Sequence, residues 1–455
     1  MIFKRVADSF PITDLQKIKR QLLTWAAPFN SCCFLDNQGY RPDPIRPQEE
    51  MRTGHAGVPQ PAFECLLGVG VADLFTASAG SSFSALKAWA AERKEWLFGH
   101  FGYDLALETE PIPLHGVKAA SRPAVTDPIG FPDLCFFVPE IVLQVQQDSI
   151  RIGVLGGDPA HIWEQIRAIP LTDAPAPEPV VFQPRITRDD YLSTIGALQR
   201  HILLGDCYEI NFCQEFYTQA PGFDPFAAWQ RLSQASPNPF SAFYRLDEHY
   251  LLCASPERFL KKAGDTLFSQ PIKGTAPREF RDQDADRRRG EDLYRSAKDR
   301  AENVMVVDLV RNDLSKICLP GTVGVSELFG VYAFPQVFQL ISTVTGTVMP
   351  GLDWTAAIAA SFPMGSMTGA PKNRVVQLIA QYERSRRGIF SGAVGYVDPE
   401  GDFDFNVVIR SLLYNSKTKY LSYQVGSGIT FYSDPAAEYD ECLLKAAGIK
   451  KVFEQ

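Results

Sequence analysis

The segment Pro271-Ile272-Lys273-Gly274-Thr275-Ala276-Pro277-Arg278 places a single lysine in a stretch of restricted backbone. Proline fixes its own φ angle, and glycine lets a chain turn sharply or approach a ligand closely. We therefore expect Lys273 to lie in a tight loop, either as an ordinary solvated lysine or as a functional amine. A free lysine has a pKa of about 10.4 and attacks only when neutral, so a reactive Lys273 would need burial or a neighbouring cation.

Composition narrows the function classes before any motif is considered. The 455 residues carry a formal net charge of −8, with acidic and basic residues interspersed. This charge argues against nucleic acid or an anionic membrane as the main partner. No apolar run approaches the roughly 18 residues of a spanning helix, and Met1-Ile2-Phe3-Lys4-Arg5 lacks the apolar core of a signal peptide. We expect a cytoplasmic protein.

The cysteines point to reduced thiols rather than to a metal or disulfide framework. Apart from the adjacent Cys32 and Cys33 they are scattered singly, without a Cys-x-x-Cys pair or a cluster with histidine. No cysteine lies in a Gly-x-Cys-x-Gly turn that could present a nucleophile. The chain therefore carries no recognisable glutaminase of its own.

A proline- and alanine-rich stretch divides the chain. Residues 171–179 read Leu-Thr-Asp-Ala-Pro-Ala-Pro-Glu-Pro, a composition that disfavours regular structure. Before it lie short aromatic and β-branched runs, such as Leu134 to Val145, that are typical of antiparallel strands. We predict an N-terminal sheet-forming subdomain over 1–170, a linker over 171–186 and a catalytic domain over 187–455.

Helix signals are stronger in the second half. Thr187 is placed to cap a helix that stops at Gly205, and Asp434 to cap a last helix whose first residue is Pro435. A long charged helix is expected from about 290 to 316. Between these helices, the runs 207–212 and 405–414 are predicted as strands.

Two of these helices each carry a pair of carboxylates three residues apart. The pairs are Asp299 with Glu302 and Glu438 with Glu441. This spacing puts both acids of a pair on one helix face, and facing pairs would suit a hard cation such as magnesium. The alternative is solvated helix faces whose acids pair with a neighbouring base such as Lys445.

Several other residues could hold a small anion or move a proton. The loop 365–372 fails the phosphate-loop pattern, but its glycines offer backbone N–H groups to a carboxylate, as does the turn 425–428. Arg410 is expected on a strand as a partly buried cation, either for a substrate carboxylate or for a structural ion pair. Glu257 would serve as a proton partner of Lys273 if burial raised its pKa.

The order of these motifs resembles the family of chorismate-utilising enzymes. The matching segments cover residues 187–455. In chain order they are Ser255-Pro256-Glu257-Arg258-Phe259, Pro271-Ile272-Lys273-Gly274-Thr275, Val307-Asp308-Leu309-Val310-Arg311-Asn312-Asp313-Leu314, Gly365 to Lys372, Gly392-Ala393-Val394-Gly395-Tyr396, Ile409-Arg410-Ser411 and Gly426-Ser427-Gly428-Ile429. The resemblance implies an α+β fold in which two large antiparallel β-sheets pack as a sandwich with helices on the outside.

Within that family the residue at 273 separates two subgroups. Anthranilate synthases resemble this segment but carry alanine, whereas the subgroup that makes 4-amino-4-deoxychorismate carries lysine, as here. The resemblance implies that Lys273 attacks C2 of chorismate while Glu257 protonates the departing C4 hydroxyl, and that ammonia then adds at C4 and expels the lysine. The product lies on the route to p-aminobenzoate and folate. Anthranilate formation, with loss of pyruvate, is the alternative.

The resemblance also implies binding roles. Glu302 and Glu441 match magnesium ligands, which Asp299 and Glu438 support through water. The residues that match chorismate contacts are Gly274, Thr275, Ser366, Arg410, Gly426, Ser427, Gly428 and Lys445. Ammonia would come from a separate glutamine amidotransferase subunit, which gives a heterodimer.

A few positions depart from the family pattern. Glu209 replaces a more usual glutamine, and Gln339 stands where relatives usually carry histidine. Leu35-Asp36-Asn37 differs from the Leu-Leu-(Glu/Asp)-Ser element of relatives that bind tryptophan. Gln339 and the N-terminal departure leave a further alternative, a catalytically silent chorismate-binding regulatory subunit.

Overall fold

Two antiparallel sheets dominate the computed structural model, which describes residues 4–40, 44–45, 63–110, 127–171 and 178–454. The strands within these ranges are β1 (Val6–Pro11), β2 (Ser31–Asp36), β3 (Pro44–Ile45), β4 (Cys65–Val69), β5 (Asp73–Ala77), β6 (Leu97–Phe101), β7 (Leu134–Val138), β8 (Ile141–Val145), β9 (Ser149–Val154), β10 (Gln183–Pro184), β11 (Glu209–Gln219), β12 (Phe240–Leu246), β13 (His249–Ser255), β14 (Arg258–Ala263), β15 (Thr266–Gln270), β16 (Ile272–Pro277), β17 (Gly324–Ala333), β18 (Val337–Thr347), β19 (Gly369–Ala370), β20 (Ala393–Val397), β21 (Phe403–Asn406), β22 (Ser411–Asn415) and β23 (Tyr420–Ile429).

Helices join and cover these strands. In the same ranges they are α1 (Leu15–Ala26), α2 (Ser82–Ala91), α3 (Ala106–Thr109), α4 (Pro159–Arg167), α5 (Arg188–Leu203), α6 (Pro225–Ala235), α7 (Gln283–Arg295), α8 (Ala297–Ser315), α9 (Trp354–Ser361), α10 (Lys372–Tyr382), α11 (Pro435–Lys445) and α12 (Ala447–Lys450). Short 3₁₀ turns occupy Tyr103–Leu105 and Gly365–Met367. No helix of the described residues is both long enough and apolar enough to cross a membrane.

Both sheets draw strands from both halves of the chain. The first has the order β1-β9-β8-β4-β2-β12-β13-β22-β23-β11-β10, with β19 beside β11. The second has the order β3-β17-β18-β15-β14-β21-β20-β6-β7-β5, with β16 beside β18. The halves join where β2 pairs with β12 and where β6 pairs with β20.

The main core lies between the two sheets. It combines Leu66 and Ala242 of the first sheet with Phe98, Val394 and Phe405 of the second. A second core lies between the first sheet and helices that include α1, α5 and α11. The predicted sandwich with outer helices is therefore confirmed.

The division into an N-terminal subdomain, a linker and a catalytic domain remains a prediction. Residues 172–177 of the predicted linker lie outside the described residues, and Gln183–Pro184 within it pairs with β11. Because each sheet contains strands from both halves, the halves share a core.

Three sequence expectations change in the structure. The charged helix predicted from 290 to 316 is two helices, because Ser296 ends α7 and caps α8 through the amide of Asp299. The strand predicted over 405–414 is interrupted at residues 407–410, where the chain passes from β21 in the second sheet to β22 in the first. The lysine segment is not a loop but strand β16.

The predicted cap at Thr187 is confirmed, and it gives a stability test. The Thr187 hydroxyl accepts a hydrogen bond from the amide of Asp190 at the start of α5. Thr187→Ala should lower the free energy of unfolding by about 1 kcal/mol, because that amide loses its partner. Urea unfolding would measure the change. Thr194→Ala, within the same helix, is the control, and an equal loss in both variants would contradict the capping role.

Candidate active site

Lys273 projects from a bulge in β16. Ile272 pairs with Ile341 and Thr275 with Gln339, so β16 has one more residue than β18 between these two pairs. Gly274, inside the bulge, has a φ of +96°, and a Cβ there would lie 2.9 Å from Cβ of Asp299. An L-residue would be strained at this angle and would also press on α8. The bulge thus aims Lys273 into the space beside α8, and it explains why glycine follows the lysine.

The amine of Lys273 meets the carboxylate of Glu209 at the start of β11. The Nζ to Oε1 distance is 2.5 Å, and the lysine side chain is 12% exposed. Gly428 on the neighbouring β23 leaves room for this pair, because a Cβ there would lie 2.6 Å from Glu209 Oε1 and 3.0 Å from Lys273 Nζ. Three strands that are distant in sequence therefore build the pocket around one amine.

The pKa of Lys273 is raised, although a nucleophilic lysine was expected to need the opposite shift. Burial lowers this pKa, but the carboxylates of Glu209, Glu302 and Glu257 outweigh burial. Lysine is therefore held as an ammonium ion in the free protein. It must give up a proton before its nitrogen can attack a carbon atom.

Glu257 has the properties expected of an acid. Burial raises its pKa to about 7, against the opposing effects of a hydrogen bond from Ser366 and of the charges on Lys273 and Arg410. Its side chain is 5% exposed. A carboxyl with this pKa is partly protonated at neutral pH and can donate a proton to a leaving group.

Arg410 lies where the chain crosses between the sheets. Its φ is +55°, a left-handed conformation that is uncommon for residues other than glycine. The guanidinium donates to the backbone oxygen of Lys445 at 3.0 Å, and burial lowers its pKa despite the charges of Glu441 and Glu257. The crossing, rather than the alternation of a strand, turns this cation toward the acids of the site.

The other predicted substrate-binding residues surround this centre. The Thr275 hydroxyl donates to Oε1 of Gln339 at 2.8 Å. Ser366 lies in the 3₁₀ turn against Glu257, and Lys445 donates to the backbone oxygen of Gly426 at 2.9 Å. Ser427 is fully buried and donates to Glu438. These contacts bring the two glycine-rich segments to the same place as Lys273.

Two of the four acids predicted to hold magnesium, Glu302 and Glu441, both interact with Lys298 and Lys273. A carboxylate oxygen of Glu302 is 3.9 Å from Nζ of Lys298. The charge of Lys445 also acts on Glu441. Burial raises the pKa of Glu302 to about 7, and Glu209 adds to the shift. For Glu441, burial is outweighed by those three lysines, of which Lys445 is 2.7 Å away, so its pKa is lowered.

The remaining two acids have different surroundings. Glu438 accepts hydrogen bonds from the hydroxyls of Ser427 and Ser433, and Asp299 packs against Gly274. Across the described ranges no three Asp, Glu, His or Cys side chains are grouped closely enough to hold a metal. Glu302 and Glu441 stay predicted magnesium ligands; this ion takes one or two protein carboxylates together with water and substrate oxygens.

Glu209 and Lys298 are parts of the site that the sequence did not assign. Glu209 was noted only as a departure from the family pattern, and its contact with Lys273, 64 positions away, joins strands of the two different sheets. Lys372, at the end of the glycine-rich loop, is instead buried in an ion pair with Asp313. Sequence spacing offers no signal for either contact.

Comparison with known proteins agrees with this architecture. The sequence profile of the chorismate binding enzymes matches residues 55–451. Aminodeoxychorismate synthase component 1 of Salmonella typhimurium is 36% identical over 78% of this chain and 76% of its own length. The Escherichia coli protein of the same name is 35% identical over the same shares, and anthranilate synthase component 1 of Thermus thermophilus is 32% identical over 78% and 77%.

Solved structures agree on the fold. Anthranilate synthase component I from Streptococcus pneumoniae superposes with a TM-score of 0.73 at 24% identity, covering 88% of this chain and 96% of that protein. The menaquinone-specific isochorismate synthase of Escherichia coli gives 0.73 at 17% identity, covering 99% and 95%. The profile match spans well over half of the chain, and its residues include every member of the site described above. This chain belongs to the chorismate binding enzyme family.

Proposed function

We propose that this chain aminates chorismate to 4-amino-4-deoxychorismate, the reaction named for the relatives of highest identity described above. The observation that carries the proposal is the placement of one partly buried lysine between Glu209 and Glu257. A lysine at this position supplies a nucleophile, and Glu257, with a pKa of about 7, supplies the acid. The product serves p-aminobenzoate and folate synthesis, and the chain is accordingly a transferase.

Each residue of the site has its own role in the proposed reaction. Lys273 passes one proton to Glu209, its hydrogen-bond partner, and forms a bond to C2 of chorismate. Glu257 meanwhile donates its proton to the departing C4 hydroxyl, which leaves as water. Ammonia then adds at C4 and the bond to Lys273 breaks. Arg410 and Lys445 bind the substrate carboxylates. Gly428 lets β23 lie close to Glu209 and Lys273. Magnesium bound by Glu302 and Glu441 would supply positive charge for a substrate carboxylate.

A product assay tests this function. The chain is incubated with chorismate, magnesium and an ammonium salt, and the product is identified by mass. 4-Amino-4-deoxychorismate is expected. Anthranilate as the main product would favour the alternative activity, and the 32% identity to an anthranilate synthase component 1 is the observation behind that alternative. The absence of any turnover would favour a silent regulatory subunit.

The source of ammonia is the second part of the proposal. The name component 1 of the relatives implies a partner component. We infer that this partner is a glutamine amidotransferase, because the sequence lacks a Gly-x-Cys-x-Gly nucleophile turn. Glutamine should support turnover only when such a subunit is added, whereas ammonium should support it without one.

The expected cytoplasmic location stays a prediction that cell fractionation would test.

The pH dependence of the reaction follows from Glu257. An acid works in its protonated form, and the population of that form falls as pH rises through the pKa of about 7. At saturating magnesium, kcat/KM should therefore fall about tenfold per pH unit above this value. Glu257→Gln should lose about 100-fold in activity and also lose this descending limb. If the variant kept the limb, another group would be responsible for it.

A further inference from the structure

Glu209 carries an oxygen for which the described structure offers no partner. The residue is 2% exposed, and its Oε1 takes the hydrogen bond from Lys273. Its Oε2 is buried, and no hydrogen-bond donor among the described residues reaches it. A carboxylate oxygen that has left water without a replacement donor is costly to the folded protein, so this atom requires a partner such as a water, an ion or a ligand.

The surroundings select the chemistry of that ligand. Lys273 faces acids from four elements, namely Glu209 on β11, Glu302 on α8, Glu441 on α11 and Glu257 before β14. Lys298 pairs with Glu302 and Lys445 with Glu441, whereas Lys273 is the cation that Glu209 meets among the described residues. A second small cation beside Glu209 is therefore favoured. Gly428 lets Glu209 and Lys273 lie close against β23, because a Cβ there would be 2.6 Å from Oε1 of Glu209. A cation that also donates hydrogen bonds would satisfy the oxygen as well as the charge.

We propose that Oε2 of Glu209 binds the ammonium ion that provides the amino group. This inference rests on the proposed amination of chorismate. Glu209 first releases to solvent the proton that it took from Lys273. Transfer of one proton from ammonium to Oε2 then breaks an N–H bond, forms an O–H bond and leaves neutral ammonia beside Lys273. The nitrogen lone pair then adds to C4, and the bond between C2 and Lys273 breaks with its electrons returning to the lysine nitrogen. Glu209 is thus a binding group and a proton acceptor for the second substrate.

Glu209→Gln separates this role from others because it keeps the shape of the side chain but removes the charge. The KM for ammonium should rise by at least about tenfold at saturating magnesium, while the KM for chorismate stays unchanged. Glu215→Gln is the matched control. Glu215 is a buried acid on the same strand whose oxygens already meet Arg185 and Tyr420, so its loss should leave the ammonium KM unchanged.

A binding measurement without chorismate distinguishes failure of this inference from failure of the proposed function. The wild-type chain should broaden the resonance of ¹⁵N-labelled ammonium, and Glu209→Gln should not, whichever product the enzyme makes. If Glu209→Gln does not fold, Glu209→Asp keeps the charge on a shorter stem and should give an intermediate ammonium KM. An unchanged ammonium KM with unchanged broadening would overturn the inference. So would a variant whose only defect is a higher magnesium requirement, because the oxygen would then serve the metal.

Discussion

Lys273→Ala is expected to reduce formation of 4-amino-4-deoxychorismate by about a thousandfold or more. The side chain is the only amine that the β16 bulge directs at Glu209 and Glu257 within the described structure, and the proposed route needs it as the atom that bonds to C2. Removal of a covalent nucleophile leaves only binding and acid catalysis. The measurement is the ammonium-dependent rate with the product identified by mass.

The control for this variant is Lys262→Ala, a lysine on β14 whose ion pair with Asp402 lies outside the proposed site. It should retain the wild-type rate. A direct readout is the mass of the peptide containing Lys273 after incubation with chorismate and magnesium but no ammonium, where an adduct is expected. Unchanged aminodeoxychorismate formation by Lys273→Ala would refute the covalent route, whereas a new product would show that the reaction had been redirected.

Glu302→Ala is expected to lower activity at ordinary magnesium concentration by at least about 100-fold. Burial and the neighbouring Glu209 raise the pKa of Glu302 to about 7. Its ionised form has lost hydration by burial, and a bound cation would stabilise that form. The rate should recover in part as magnesium is increased, because Glu441 remains to bind the ion. A magnesium titration of the rate measures both effects.

Asp308→Ala is the matched control for Glu302→Ala. Asp308 lies on the same helix but is exposed, and it pairs with Arg311. This variant should show the wild-type magnesium dependence. Full activity of Glu302→Ala at ordinary magnesium would remove Glu302 from the set of proposed ligands.

The sequence alone determined the features that depend on nearest neighbours along the chain. Thr187 and Asp434 cap the helices that they were predicted to cap, because a cap needs only its own side chain and the next three amides. The motif order from Glu257 to Gly428 identified the family, and from it came the fold of two packed sheets. The residue at 273 separated the two subgroups before any coordinates were considered.

Only the tertiary structure decided which charged groups of the site meet and how their pKa values are shifted. Glu209, Lys273 and Gly428 meet because β11 pairs with β23 and a bulge in β16 turns the lysine toward them. The left-handed turn at Arg410 and the break at Ser296 likewise belong to the packing of two sheets and their helices. The pKa values of Lys273 and Glu257 depend on burial and on charges contributed by several elements, and neither quantity is encoded in local spacing. The sequence therefore specified most groups of the site, whereas the packing of the two sheets and their helices added Glu209 and Lys298 and decided which groups meet.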